Sequence, residues 1–276
     1  MQLFIVPQLE KKKNLIFLKN VPELLAQLRK VLRAKVWDTI SVQTQEGEIT
    51  RYTIQITNRT DKDLAGEIIN EQLLLDSLDK GRGRRTNGGE DGGRTTEEGF
   101  AAGVTMLIAM PNKREKAELI VQKLSEIGVS EIAFRPAERS IIKQWNEKKV
   151  ERLHKIAKEA VEQSWGVRVP RIVWCDDVRK ACEGKGVVMF DATPLLKGGK
   201  ERSDGGFEYH GEQGISQRTS PTPPSKGGKL GVIGPEGGLT AKDYQLFEPH
   251  EVVGLGETIL RMETAAIIGW WKLQNL

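Results

Sequence analysis

The rhythm of apolar and polar positions changes near residue 100 and divides the chain. Upstream, "VPELLAQLRKVLR" places Leu24, Leu25, Leu28, Val31 and Leu32 at helical spacing. The stretch after it alternates instead: Ile40 and Val42, then Ile49, then Tyr52, Ile54 and Ile56. That period of two predicts strands with one buried face, and "QEGE" and "NRTDKD" between the runs are turn signals. The expectation for residues 1–78 is a short helix and a small antiparallel β domain. A barrel would remove the edges of such a sheet.

Downstream, short apolar runs alternate with amphipathic helices. "TMLIAM" (105–110) reads as a buried strand, and "NKREKAELIVQKLSEIG" sets Ala117, Ile120, Val121, Leu124 and Ile127 on one face, with Gly128 as the cap. "SEIAFRP" predicts a second strand. "NEKKVERLHKIAKEAVEQS" predicts a second helix built on Val150, Leu153, Ala157, Ala160 and Val161. "RIVW", "GVVMFD", "KLGVIG" and "EVVGLG" supply further strands. Their apolar residues run without alternation, which suits strands covered on both faces, so residues 100–276 read as an α/β domain with a parallel sheet. Two stretches interrupt this pattern, 79–99 and 197–229. Rich in Gly, Ser, Thr, Pro and charge, they lack the apolar surface to offset the entropy of ordering, and we read them as flexible insertions.

Composition narrows the class. The chain has 276 residues, 38% hydrophobic and 29% charged, as in a soluble globular protein. No apolar run approaches the roughly 18 residues of a membrane helix, and the N-terminal run is too short for a signal peptide, so a cytoplasmic protein away from membranes is expected. Cys175 and Cys182 have no Cys or His companion at ligand spacing, and His154, His210 and His250 are scattered. No metal site is expected, and the two thiols read as reduced. The net charge of +4 is unevenly placed: residues 112–171 hold 14 Lys/Arg against 9 Asp/Glu, which suits either a phosphate-facing surface or solvated helix faces.

Chemistry enters at three predicted strand ends: "VVMFDATP" (187–194), "VIGPEGGLT" (232–240) and "VVGLGETILRMETAAI" (252–267). In an open parallel sheet, ligands bind beyond the carboxyl ends of the strands. Gly234, Gly237, Gly238, Gly254 and Gly256 allow sharp turns and let bare backbone approach a ligand. "GPEGG" lacks the Gly-Lys-Ser/Thr of a P-loop, no G-x-G-x-x-G opens a helix, and Glu236 and Glu263 would repel a triphosphate without metal. A neutral or cationic adenosine-type ligand fits these ends. On spacing alone, a purely structural set of turns fits them equally.

"IGPEGGLT" (233–240) taken with "LGETILRMETAA" (255–266) resembles the paired signature of the RsmE family, bacterial methyltransferases of 16S ribosomal RNA acting on uridine N3. "KAELIVQKLSEIGVSEIAFRPAERS" (116–140), "KIAKEAVEQS" (155–164) and "LRKVLRAKVWDTI" (28–40) are similar to the family in order and spacing. The likeness covers nearly all of the chain outside the two insertions. It implies a SPOUT-type C-terminal domain with a deep trefoil knot, an N-terminal PUA-like β-barrel for RNA recognition, a homodimer, and the small ribosomal subunit as partner. It implies S-adenosyl-L-methionine as cofactor, held by Phe190, Asp191 and Ala192, by Ile233, Gly234, Pro235, Glu236, Gly237 and Gly238, and by Leu255, Gly256, Ile259, Leu260, Arg261, Thr264 and Ala265.

Methyl transfer to N3 needs the acceptor aligned and its proton removed, with charge spreading onto O2 and O4. Arg139 and Arg261 are the candidates to stabilise that charge, and Glu236 the candidate to take the proton or orient its loop. Arg33, Lys35 and Arg168 are the candidates for RNA contact. The chain departs from the family pattern twice. Gly166 follows "EQSW" where members commonly carry Arg, and Thr258 stands where they commonly read "LG-x-R-I-L-R". Both changes remove positive charge, which raises a rival reading: an RNA-binding or ribosome-assembly protein of the same fold with altered catalysis, or a related methyltransferase with another RNA target.

Overall fold

The computed structural model describes residues 2–30, 32–44, 49–74, 104–142, 144, 147–191, 228–248, 250–256 and 258–276. Insertion 79–99, nearly all of 197–229, the "QEGE" turn, Val31 and Ala192 lie outside the described residues. The chain divides into two compact units, one of Met1–Thr96 with Lys158–Val169, the other of Glu97–Ala157 with Pro170–Leu276.

The first unit holds β1 (Leu3–Val6), β2 (Glu10–Lys12), β3 (Leu15–Leu18), α1 (Pro22–Lys30), β4 (Thr39–Thr44), β5 (Thr50–Arg59) and β6 (Leu64–Leu73). They form one six-stranded sheet in the order β1-β4-β5-β6-β3-β2. The pairs β4–β5 and β5–β6 are antiparallel, as the alternation predicts. β1 departs from that expectation: it joins β4 in parallel, and all four of its residues are buried. Its open edge is met from within the same unit, where the Ile5 amide donates to Glu162 Oε1 at 2.8 Å. Burial pushes the Glu162 carboxyl above its ordinary value, against the lowering by that amide and by Lys158. Leu24, Leu25 and Leu28 of α1 pack with Ile40, Val42, Ile54 and Ile56 in one core, so the helical and alternating residues meet as their spacing requires. Among the described residues no strand pairing closes β1 onto β2.

The second unit holds β7 (Thr105–Ala109), α2 (Arg114–Glu126), β8 (Glu131–Arg135), most of α3 (Glu147–Ser164), β9 (Arg171–Trp174), α4 (Val178–Cys182), β10 (Gly186–Asp191), β11 (Lys229–Ile233), α5 (Ala241–Leu246), β12 (Glu251–Gly254) and α6 (Met262–Asn275). Its sheet runs β12-β10-β11-β7-β8-β9, and every pairing is parallel. The continuous apolar runs thus form the doubly covered parallel sheet they predict. Helix α6 lies against β11, β10 and β7 and also touches α2. It can do so because of Gly269: a Cβ there would meet Phe190 Cδ2 at 2.9 Å. Cys175 and Cys182 are free thiols, and burial pushes both pKa values up.

Candidate active site

Strand β10 lies between β11 and β12, and this order assembles the site. Phe190 pairs with Ile233 on one side and Val253 on the other, and Asp191 pairs with Gly254. Three stretches far apart in sequence therefore leave the sheet side by side at its carboxyl edge, where an open parallel sheet binds ligands. Phe190, Asp191, Ile233 and Leu255 lie at or next to these paired strand ends.

The loop after β11 is heavily braced. The Gly238 amide donates to the Pro235 carbonyl at 2.9 Å, closing a turn in which Gly238 has φ +78°. Arg139 Nη1 donates to the Gly237 carbonyl at 2.5 Å, and its side chain lies where a Cβ on Gly237 would fall. Glu236 Oε1 accepts from Lys116 Nζ at 3.0 Å and from the Asn112 amide at 3.3 Å. Partial burial pushes the Glu236 carboxyl up, but Lys116, the backbone amides and the Lys116 charge outweigh it, so its pKa sits below the ordinary value. Gly234 is needed for a contact inside the loop: a Cβ there would meet Leu239 Cγ at 2.9 Å. Its bare face is turned to Leu239, where the sequence had suggested a face turned to a ligand.

The far end of this loop is a helix cap. Thr240 Oγ1 accepts from the Asp243 amide at 3.2 Å, and Asp243 Oδ2 accepts from the Thr240 amide at 3.0 Å. Asp243 also forms a buried ion pair with Arg135 at 2.9 Å, and the Arg135 guanidinium lies 4.9 Å from the Phe247 ring centroid. In the same helix, Tyr244 donates its hydroxyl proton to Asp191, which ties α5 to the end of β10. Asn112, Lys116, Arg135, Asp243 and Tyr244 were not singled out from the sequence. Only "TAKD" (240–243) carried a local signal, the S/T-x-x-D/E capping pattern.

The loop after β12 is held at its ends. Lys272 Nζ donates to the Gly254 carbonyl at 2.6 Å, and the Ala265 amide to the Arg261 carbonyl at 2.8 Å, where Arg261 is the N-cap of α6. Leu255 is buried, Leu260 half-buried, and Thr258 and Arg261 exposed, while Ile259 is 78% exposed. Gly256 has φ +144°, a backbone only glycine adopts readily, and among the described residues no atom lies within 4 Å of where its Cβ would point. Thr264 and Ala265 follow, half-buried, in the first turn of α6. Beside them the Glu263 Oε2 is sealed from solvent with no hydrogen-bond partner among the described residues.

Arg33, Lys35 and Arg168 belong to the first unit. Among the described residues no three His, Cys, Asp or Glu side chains are grouped to hold a metal, and no helix is long and apolar enough to cross a membrane.

Comparison with known proteins agrees with the geometry. Residues 100–270 match the family model of the RNA methyltransferase domain. The chain is 34% identical over 160 residues to the ribosomal RNA small subunit methyltransferase E of Bacillus subtilis, a match covering 56% of this chain and 59% of that protein. Among solved structures, the ribosomal RNA small subunit methyltransferase E of Neisseria gonorrhoeae bound to S-adenosyl methionine superposes with a TM-score of 0.66 at 21% identity, covering 100% of this chain and 97% of that one. Lpg2936 of Legionella pneumophila, solved with bound S-adenosylmethionine, gives 0.69 at 20% identity over 99% and 96%. These structural likenesses establish a shared fold. With the greater part of its length matched, the chain belongs to the RNA methyltransferase domain family.

Proposed function

We propose that the protein is an S-adenosyl-L-methionine-dependent methyltransferase acting on uridine N3 in the 16S RNA of the small ribosomal subunit, in the manner of the RsmE proteins it resembles. The observation that carries this reading is the junction of the 234–240 and 255–261 loops at the end of β10, in a chain of this family. The residues fit the cofactor's chemistry. Among the described residues, the space beside Gly256 is open to a ligand and the Glu263 Oε2 has no hydrogen-bond partner, which suits a cationic one. Phe190, Ile233, the 234–238 turn, Leu255, Gly256, Ile259 and Leu260, with Arg261, Thr264 and Ala265, would hold it. When bound, it supplies an electrophilic methyl group.

The chain's own residues have the remaining tasks. Arg139 fixes the Gly237 carbonyl and so sets the shape of the first loop. Glu236, held ionised by Lys116, is a weak proton acceptor, and we assign it to loop orientation. Arg261, exposed at the head of α6, is our candidate to stabilise charge on uridine O2 and O4 as the N3 proton leaves. The departure at Gly166 has a local counterpart: Arg51 donates to the Trp165 and Gly166 carbonyls and lies 5.2 Å from the Trp165 ring centroid, which keeps a guanidinium at this turn.

The same reading takes the first unit as a PUA-like RNA-recognition domain over 1–78 and residues 100–276 as a SPOUT domain with a trefoil knot. The protein would be a cytoplasmic homodimer, with Trp271 and Leu276, exposed at the end of α6, at the interface. Calorimetry with S-adenosylmethionine, followed by transfer of labelled methyl to small ribosomal subunits and mass spectrometry of the RNA, tests the proposal. N3-methyluridine is the expected product. No binding at millimolar cofactor would end the methyltransferase reading, and a methyl group on another atom would end the N3 assignment.

A further inference from the structure

The segment after α1 displays an aromatic side chain in a conformation that aromatic residues avoid. Trp37 has φ +80°, and Arg33, four residues earlier, has φ +51°. A bulky residue with positive φ is an outlier that persists only when its surroundings over-determine it. Here they do. The Trp37 amide donates to the Ile56 carbonyl at 2.8 Å, its carbonyl accepts from Gln55 Nε2 at 3.1 Å, and the Ile56 amide donates to the Asp38 carbonyl at 2.9 Å. Arg59 Nη1 donates to the Ala34 carbonyl at 2.7 Å, and Asp38 accepts from the Lys35 amide at 2.6 Å. The backbone is thus riveted to β5, yet the indole is not used for packing: Trp37 is 65% exposed and its neighbour Val36 40%.

A glycine would serve this turn without strain, and a core role would bury the ring. What remains is contact with a molecule outside the chain. Within residues 30–38, Lys30, Arg33 and Lys35 are exposed and Asp38 is the one acidic residue, so the segment carrying Trp37 is positive. We propose that Trp37 is a stacking platform for an unpaired RNA base, with Arg33 and Lys35 holding the adjoining phosphates. The inference rests on the RNA substrate proposed above. Every base has a π face, and a rigidly held indole gives up little freedom on binding, so a single-stranded segment is the ligand such a surface favours.

The test uses the full chain, a labelled single-stranded oligouridylate and an RNA duplex of equal charge, with Trp37→Gly and Trp37→Phe. Trp37→Gly is expected to leave the melting temperature unchanged or higher while weakening single-strand binding about tenfold. Trp37→Phe keeps most of the affinity, and duplex binding changes little in either variant. A fall in melting temperature for Trp37→Gly, unchanged single-strand affinity, or equal loss on both RNAs would overturn the platform. Wild-type protein that binds neither RNA would instead remove the RNA reading beneath it.

Discussion

Two glycine-bearing loops flank the end of β10, and they are built on opposite terms. The loop after β11 is held by Arg139 on its turn, Lys116 and the Asn112 amide on Glu236, and a capping box backed by a buried ion pair. Among the described residues, the loop after β12 is tied where it leaves the strand and where it enters α6, with Ile259 standing in solvent between. The first is a preorganised wall whose shape precedes any ligand. In the proposed site, the second is the side that a bound ligand would brace. A site made this way limits the ordering cost of binding to one loop while keeping an entrance.

The comparison is broken most severely at the foundation of the first loop. Asp243 serves the cap of α5 and neutralises Arg135, and both side chains are almost wholly buried. Asp243→Ala removes the Asp243 half of the capping box and leaves a buried guanidinium without its partner, a loss of about 3–5 kcal/mol by the precedent of broken buried pairs. Urea denaturation should register it as a large fall in midpoint. Asp243→Asn keeps an acceptor for the Thr240 amide and should fall between the two. If Asp243→Ala unfolds at the wild-type midpoint, the first loop does not depend on this anchor.

A pair of glycine substitutions separates the loops from each other. In Gly234→Val the new side chain meets Leu239, so Leu239 must give way, at about 1–3 kcal/mol of stability. Cofactor affinity should be lost with it, because the turn beyond Gly234 shifts. Among the described residues Gly256→Ala meets no neighbour and the loop is tied at its ends, so the strain at φ +144° can relax. We expect its melting temperature to stay near wild type while calorimetry shows cofactor affinity about tenfold weaker, the bound backbone now costing strain. Were Gly256→Ala to destabilise the free protein as much as Gly234→Val, the two loops would be equally preorganised and the contrast would be wrong.

These loops also mark how far the sequence carries. Continuous apolar runs identify the parallel strands, and glycines at the ends of two of them, β11 and β12, point to the proposed ligand site, because both signals are local. The contacts that hold the site are not. Arg135 and Asp243 are 108 residues apart, and Lys116 and Glu236 120 apart, so no spacing rule connects them. Gly234 shows the same limit at a single position: the sequence says that a side chain is excluded there, and only the fold shows that Leu239 excludes it. In the first unit, the "LFIV" of β1 precedes the alternating stretch, pairs in parallel with β4, and bonds through Ile5 to Glu162, 157 residues away.

The smallest effect belongs to Glu236, and it separates two roles for one carboxylate. Its folded pKa lies below the 4.5 of a free glutamate, with burial raising it and the Lys116 hydrogen bond leading the groups that lower it further. A depressed carboxylate stabilises the fold above its unfolded pKa, and that contribution disappears as pH falls through the folded value. Wild type should therefore exceed Glu236→Gln by about 0.5–1 kcal/mol near neutral pH and lose the lead as pH falls from 4.5 through the lower folded value. Lys116→Met should reproduce the neutral-pH deficit, because either change empties the same bridge. In the methyl-transfer assay the two variants should likewise match, each with a modest rise in cofactor KM and little change in kcat. A Glu236→Gln enzyme whose kcat collapses while Lys116→Met keeps its own would make Glu236 the proton acceptor, and the braced wall would then carry chemistry as well as shape.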